Sequence, residues 1–356
     1  MPDSKLISRG QDVVTVPMRG CIAWSSQVGN SLVFRQRTKY LKAYFDDLYI
    51  RRIGPAKLLR TGKASSVLTD LDYNAIHAHS LAVELKYNLA SAQSRVDRLA
   101  SDAMIDTDLP EIRIEGPAYS VCNEGAATWG HWIGHNLPRA MLFLQHVPHG
   151  RVIIPEAYTT RSKTFGELLF RAGISPTQIV SAPHRCSMII EDCALVDLPY
   201  LNGVFHPILA DQIKLLGSSH NSSPPQRKYM PRSSSDRAIT NSEELDAIHE
   251  EYQIQKANSD YSTLATQVSD WSDCSVMVSV LGSDLTNMAI GRPEAVCSIT
   301  PYWFGDIFFY GLSSILGIQW NEFYCGTKDT HREPEHRSTF RVQAKEYKEF
   351  LKWFLG

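Results

Sequence analysis

From Glu111 onward, short apolar runs of strand character alternate with helical segments, and this alternation constrains the fold more than any other feature. EIRIEGPAYSVC (111–122) reads as a strand, and a helix is expected to begin near Trp129 or His131. RVIIP is a short buried strand, TFGELLFRAGI a helix ending at Gly173, and SMIIEDCALVDLP one or two strands. After the polar stretch GSSHNSSPPQ the alternation resumes. SEELDAIHEEY is helical, SVMVSVL a central strand, LTNMAI a helix start, AVCSIT a strand and DIFFYGLSSILG a helix. Strands spaced by helices in this way pair largely in parallel. The expected fold class is therefore α/β, with two Rossmann-like domains facing across a cleft. Residues 1–218 form the first, 219–226 a linker rich in Ser, Asn and Pro, and 227–335 the second.

About the first 75 residues carry no clear pattern, and their basic segment RRIGPAKLLRTGK reads as solvated surface. From Leu81, apolar residues at 85, 89, 92, 96 and 99 mark one helical face. In the C-terminal segment, 336–356, apolar residues at 347, 350, 351, 354 and 355 lie among Lys345, Lys348 and Lys352. That is an amphipathic helix. It is expected to dock back on the protein, with the N-terminal domain as a candidate seat; the other reading lays it on an anionic membrane.

The formal net charge of −2, from 36 basic and 38 acidic residues, argues against a nucleic acid as the main partner. The seven cysteines include no CxxC and several sit in apolar runs, so they read as buried thiols of a reducing compartment. The N-terminal MPDSKLISRGQDVV lacks the apolar core of a signal peptide, and no uncharged window of about 18 residues could span a membrane. A cytoplasmic protein is expected, with peripheral membrane contact as the alternative.

Three segments carry candidate chemistry. SVMVSVLGSDLTN (275–287) is a strand, a glycine turn and a helix start, a junction whose free N–H groups can face a phosphate. Gly282 permits close approach, Ser283 and Thr286 add hydroxyls, and Asp284 either opposes an anion or caps the helix. Such junctions are common in α/β proteins. RKYMPRSSSDRAITNSEEL brings Arg227, Arg232 and Arg237, suited to diphosphate or simply to the surface. Asn241 with Glu244 reads as a capping box. WGHWIGHNLPR puts His131 and His135 on one helix face, as a general base or as packed histidines. Arg139 binds an acidic group or pairs within the fold. Zinc lacks the HExxH glutamate and a third ligand. The tripeptides Asp70-Leu71-Asp72 and Asp106-Thr107-Asp108 are weak candidates for holding a divalent ion, and HREPEH (331–336) reads as solvent-facing loop.

HWIGHNLPR, RVIIP, RKYMPRSSSDRAITNSEEL and GSDLTN, in that order, resemble the family-61 glycosyltransferases over about residues 110–325. The matching positions are His131, Trp132, Leu137, Pro138, Arg139, Arg232, Arg237, Asn241, Glu244, Gln267, Gly282, Ser283, Leu285, Thr286 and Asn287. The resemblance implies a GT-B arrangement, an inverting reaction and a nucleotide-sugar donor, usually a UDP-sugar, with no tightly bound cofactor. Members act around plant xylans, animal O-glycans and bacterial envelope polysaccharides, and the unadorned length points to the last. Implied donor-binding residues are Arg232, Arg237, Asn241, Gln267, Gly282, Ser283, Thr286 and Asn287. Trp132 and Arg139 fall on the acceptor side, which takes a glycan or lipid-linked glycan. The family's histidine before the glycine is Leu281 here, Ser242 follows Asn241 in place of a glutamate, and His135 stands where a carboxylate is common. The expected base is thus His135 or His131. The alternatives are a catalytically silent scaffold of polysaccharide assembly and a metal-dependent DxD transferase.

Overall fold

The strands Cys274–Val280 and Ala295–Pro301 are apolar almost throughout because both of their faces are covered, and they form the centre of a six-stranded parallel sheet. The structure, a computed structural model, describes residues 4–15, 20–23, 41–60, 66–85, 89–105, 108–160, 163–217, 224–232, 236–257, 263–304, 306–325, 327–328 and 338–356. Across this sheet the strands run Ile254–Lys256, Gln226–Met230, Cys274–Val280, Ala295–Pro301, Gln319–Cys325 and Gly20–Ala23. The chain moves one way from Gln226–Met230 to Ile254–Lys256 and the other way thereafter. The order therefore reverses beside Gln226–Met230, and the carboxyl ends of that strand and of Cys274–Val280 open a crevice between their loops.

A second, seven-stranded sheet contains Cys186–Val196, Glu111–Ser120, Arg151–Pro155 and Ile179–Ala182 in parallel, in that order. Leu48–Arg60, Ser4–Ser8 and Ser66–Thr69 flank it antiparallel. The α/β class and the parallel pairing agree with the alternation read from the sequence.

One apolar core runs through both sheets. Tyr119 and Val152 of the seven-stranded sheet and Met277 and Val296 of the six-stranded one belong to it, with Trp132, Leu142, Phe308 and Leu312 from helices. The halves are thus joined by packed apolar surface and not by a linker alone; of that linker, 218–223 lie outside the described residues. The N-terminal part also crosses over, since Gly20 to Ala23 pair with Asn321 to Tyr324.

Two local expectations are corrected, and the one or two strands expected of SMIIEDCALVDLP prove to be one, Cys186–Val196. The helix from Leu81 is a short turn, Leu81–Glu84, and a separate helix, Leu89–Ile105. The C-terminal helix Ala344–Leu355 packs on the six-stranded sheet, burying Tyr347, Phe350 and Leu351 against Phe323 and Phe340, and not on the N-terminal half. The Tyr347 hydroxyl also meets His249 Nε2 at 2.8 Å. Among the described residues no helix is long and apolar enough to cross a membrane.

Candidate active site

The loop after Gln226–Met230 and the loop after Cys274–Val280 meet at the reversal of strand order, and each delivers part of a cationic cradle. Gly282 lies under two guanidinium groups. A Cβ there would overlap that of Arg232 and sit 3.2 Å from Arg237 Nη2, so the backbone approaches both arginines only as glycine. Arg232 donates Nε to the Asp236 carbonyl and lies 4.0 Å from Asp284 Oδ2. Arg237 donates Nε to the Leu281 carbonyl at 3.2 Å and stacks on the Phe304 ring, 4.1 Å from its centroid. Its backbone is left-handed, φ 54°, a conformation that costs a non-glycine residue and is held here by the surrounding contacts. Burial, and then the charge of Arg232, pushes the Arg237 guanidinium down to about 10. Two partly buried cations held side by side are poised to gain from an anion.

Asp284 is drawn into the same cluster; burial raises its carboxyl, against the pull of Arg232 and Arg237. The anticipated helix start at Ser283 is a 3₁₀ turn, Ser283–Asn287, followed by only Met288–Gly291. So short a helix has little macrodipole, and the positive potential at this junction comes from the arginines instead. Thr286 donates its hydroxyl to the Ser283 carbonyl, and Asn287 Oδ1 accepts from Trp129 Nε1 at 3.3 Å. Both side chains fix the turn.

Across that turn lies the start of the histidine segment. It comprises one helical turn, Trp129–His131, a wide π turn, Trp132–Asn136, and the helix Leu137–His146. Gly130 packs close to Ser283, whose Oγ would be 3.6 Å from a Cβ added there. His131 and His135 meet Nδ1 to Nδ1 at 3.0 Å with rings stacked 5.2 Å apart. They differ in access. His131 is half-buried, whereas His135 is fully enclosed by Tyr200, Phe205 and Phe308, and its Nε2 has no partner among the described residues. Burial lowers both imidazoles, that of His135 well below its ordinary value; for His131 the charges of Asp306 and Glu124 work against it. A cavity of about 520 Å³ is lined by Tyr200, whose ring meets that of His135, by Phe304, whose ring lies under Arg237, and by Asp306.

Several expected site residues lie elsewhere. Arg139 is buried in a bidentate pair with Glu84, 2.8 and 3.0 Å, and also donates to the Val196 carbonyl, so its charge is spent inside the fold. Trp132 is wholly buried against Tyr158 and Phe165. Neither side chain is exposed. Asn241 holds Val342 with both ends of its amide, 2.9 and 3.0 Å, and Glu244 Oε2 at 2.7 Å. It accepts no helix N–H, so the capping box is absent and the side chain serves as a bridge to the C-terminal segment. Gln267 is buried in the helix Leu264–Trp271 with its Oε1 unpartnered among the described residues, and no contact brings it to the arginines. Arg227 bonds the Tyr252 carbonyl at 3.1 Å.

Asp70 accepts from Asp72 N and from Asn74 N and Nδ2, closing its own turn. Asp106 and Thr107, and the HREPEH loop, fall outside the described residues. Among the described residues no three His, Cys, Asp or Glu side chains gather as a metal set. Glu124 and Phe304 are site residues without a signal in the sequence. Both come from loops whose place depends on tertiary packing, and nothing local in NEGAAT or PYWF marks them.

The family model described as Glycosyltransferase 61 matches residues 129–298, which span the histidine segment, the arginine loop and the Gly282 turn. No curated protein matches the chain.

Proposed function

This chain is a family-61 glycosyltransferase, and we propose that it moves a sugar from a nucleotide-sugar donor, expected to be a UDP-sugar, to a glycan hydroxyl with inversion at the anomeric carbon. The observation that carries this reading is the convergence of Arg232 and Arg237 over Gly282 at the reversal of strand order, with His131 across the adjoining turn. Ligands of open α/β sheets settle in such crevices. The donor half is the six-stranded sheet and the acceptor half the seven-stranded one, an arrangement of GT-B type.

The reaction is a single displacement. The acceptor oxygen attacks the anomeric carbon while the bond from that carbon to the diphosphate oxygen breaks. Arg232 and Arg237 take up the charge appearing on the departing diphosphate and supply what a divalent ion would otherwise bring. The acceptor proton passes to His131 Nε2, since Nδ1 is turned to His135. In this role His135 is a positioning residue: its buried ring fixes the His131 ring and accepts from Nδ1 when His131 becomes charged. Asp306 and Glu124 favour that charged form. This replaces His135 as a candidate for direct proton removal, because a fully enclosed imidazole cannot touch an acceptor.

A cytoplasmic setting fits Cys122, Cys186, Cys193, Cys274, Cys297 and Cys325, all buried free thiols. A thermal-shift panel of nucleoside diphosphates and nucleotide sugars, with and without EDTA, tests the reading. A shift from one nucleotide series that survives EDTA supports it and identifies the base. A protein that melts cooperatively and responds to none of them refutes it.

A further inference from the structure

Arg171 and Arg292 both close on Gly217, just past the helix Ile208–Lys214. Arg171, the last residue of the helix Lys163–Arg171, donates Nε to the Leu216 carbonyl at 2.6 Å and Nη2 to the Gly217 carbonyl at 2.7 Å. Its Nη1 has no hydrogen bond among the described residues, and the side chain is half-buried. Arg292 follows the short helix Met288–Gly291 of the other sheet's half. A Cβ on Gly217 would overlap its Nε and lie 2.8 Å from its Nη2, so the guanidinium rests on the Gly217 backbone. That contact encloses Nε, and the half-exposed side chain leaves Nη1 and Nη2 as the atoms a ligand meets. Neither guanidinium is ion-paired among the described residues. Glu167, one turn before Arg171, accepts from Leu264 N at 2.6 Å instead.

Two like charges held together without a counter-charge gain from an anion that joins them. Burial, and then the charge of Arg292, lowers the Arg171 guanidinium. Arg292 also has a left-handed backbone, φ 49°, at a helix end where glycine is the usual residue. We propose that Arg171 and Arg292 form a second anion site, which takes a phosphate group between Arg171 Nη1 and the two Nη atoms of Arg292. Planar guanidinium forks match phosphate oxygens in this way. The site is separate from the donor cradle. Arg292 precedes the amino end of Ala295–Pro301, whereas Gly282 follows the carboxyl end of its neighbour Cys274–Val280. A parallel strand of seven residues spans about 23 Å, so a diphosphate in the cradle does not reach this pair. Phe170 beside Arg171 and Leu215 beside Leu216 are exposed apolar side chains, so free phosphate and a phosphorylated lipid headgroup share the chemistry that fits here.

The test uses the full chain and two probes. Inorganic phosphate is titrated by calorimetry at constant ionic strength into protein carrying Arg237→Ala, which keeps phosphate out of the donor cradle. Vesicles of phosphatidylcholine, with and without phosphatidic acid, are co-sedimented with the otherwise unaltered chain. Each measurement is repeated with Arg292→Gly, which suits the left-handed backbone and removes the guanidinium, and with Arg171→Lys, which keeps the charge and loses the fork. The expected result is binding of at least one probe, weakened at least tenfold by Arg292→Gly, with UDP affinity unchanged in that variant. Sedimentation that needs phosphatidic acid and is lost in Arg292→Gly assigns the phosphate to a lipid headgroup. Calorimetric binding without sedimentation assigns it to a soluble phosphate. Equal responses with and without Arg292→Gly in folded proteins overturn the proposal, as does no response to either probe. The inference stands apart from the transferase reading, which is judged by UDP alone.

Discussion

His131 and His135 face each other Nδ1 to Nδ1 at 3.0 Å, one half-buried beside the cleft and the other sealed behind it. Only the first can touch a ligand, and the second can act only through it. His131→Ala is expected to lower kcat on the order of a hundredfold or more, with UDP affinity little changed. His135→Phe keeps a ring in the pocket, should cost less in kcat, and should shift the pH profile, which a merely structural role would not do. Steady-state kinetics with a UDP titration separate the two.

The activity profile follows from the sign of the His131 shift. Its charged form is disfavoured by burial, so its pKa lies below the ordinary 6.5 and the ring is a free base at neutral pH. The rate should rise with pH at a midpoint below 6.5 and be flat from there through neutrality. A midpoint above 7 in kcat/KM would point to another base.

Gly282→Ala probes the donor cradle without removing a charge. The new Cβ overlaps the Arg232 guanidinium, which must swing away from its place beside Arg237. The expected outcome is UDP affinity reduced about tenfold, which corresponds to about 1.4 kcal/mol, with the folded state retained. Calorimetric titration and a melting curve check both halves.

Arg139→Ala should act in the opposite way. Its partner Glu84 would remain buried without its counter-charge, a loss of about 3–5 kcal/mol in unfolding free energy. UDP affinity should not change in the protein that remains folded. Urea denaturation with and without UDP measures this.

Acid should weaken the fold through its buried neutral histidines. His79 and His249 are lowered to about 4, chiefly by burial, while the unfolded chain takes up their protons near 6.5. As pH falls below 6.5 the unfolded state binds more protons, and stability drops about 1.4 kcal/mol per pH unit for each histidine until about pH 4. Denaturation at pH 7, 6 and 5 shows the slope; a His79→Gln variant should lose one histidine's share of it.

The two central strands of the six-stranded sheet were legible because burial on both faces leaves a nearly unbroken apolar run, as in SVMVSV and AVCSIT. Gly20–Ala23 was not, because its partner Gln319–Cys325 lies at the far end of the chain and no local pattern announces such pairing. The sequence grouped Arg232, Arg237, Gly282 and Ser283, and the loops after two parallel strands do bring them together. It misplaced Arg139 and Trp132, since a motif match does not distinguish a side chain aimed at a cleft from one paired or packed inside. Likewise the Asn241–Glu244 spacing suggested a cap, and only tertiary structure supplied the competing Val342 backbone. The π turn at Trp132–Asn136, which sets the two histidines ring to ring, left no mark in a periodicity read at 3.6 residues.

The most direct test of the account is the calorimetric titration of UDP, in EDTA, into the unaltered protein and into Arg232→Ala and Arg237→Ala. The account predicts saturable binding that each substitution weakens at least tenfold while both variants melt cooperatively. Equal affinity in all three proteins would contradict it, because the diphosphate would then lie away from the crevice where these two arginines converge.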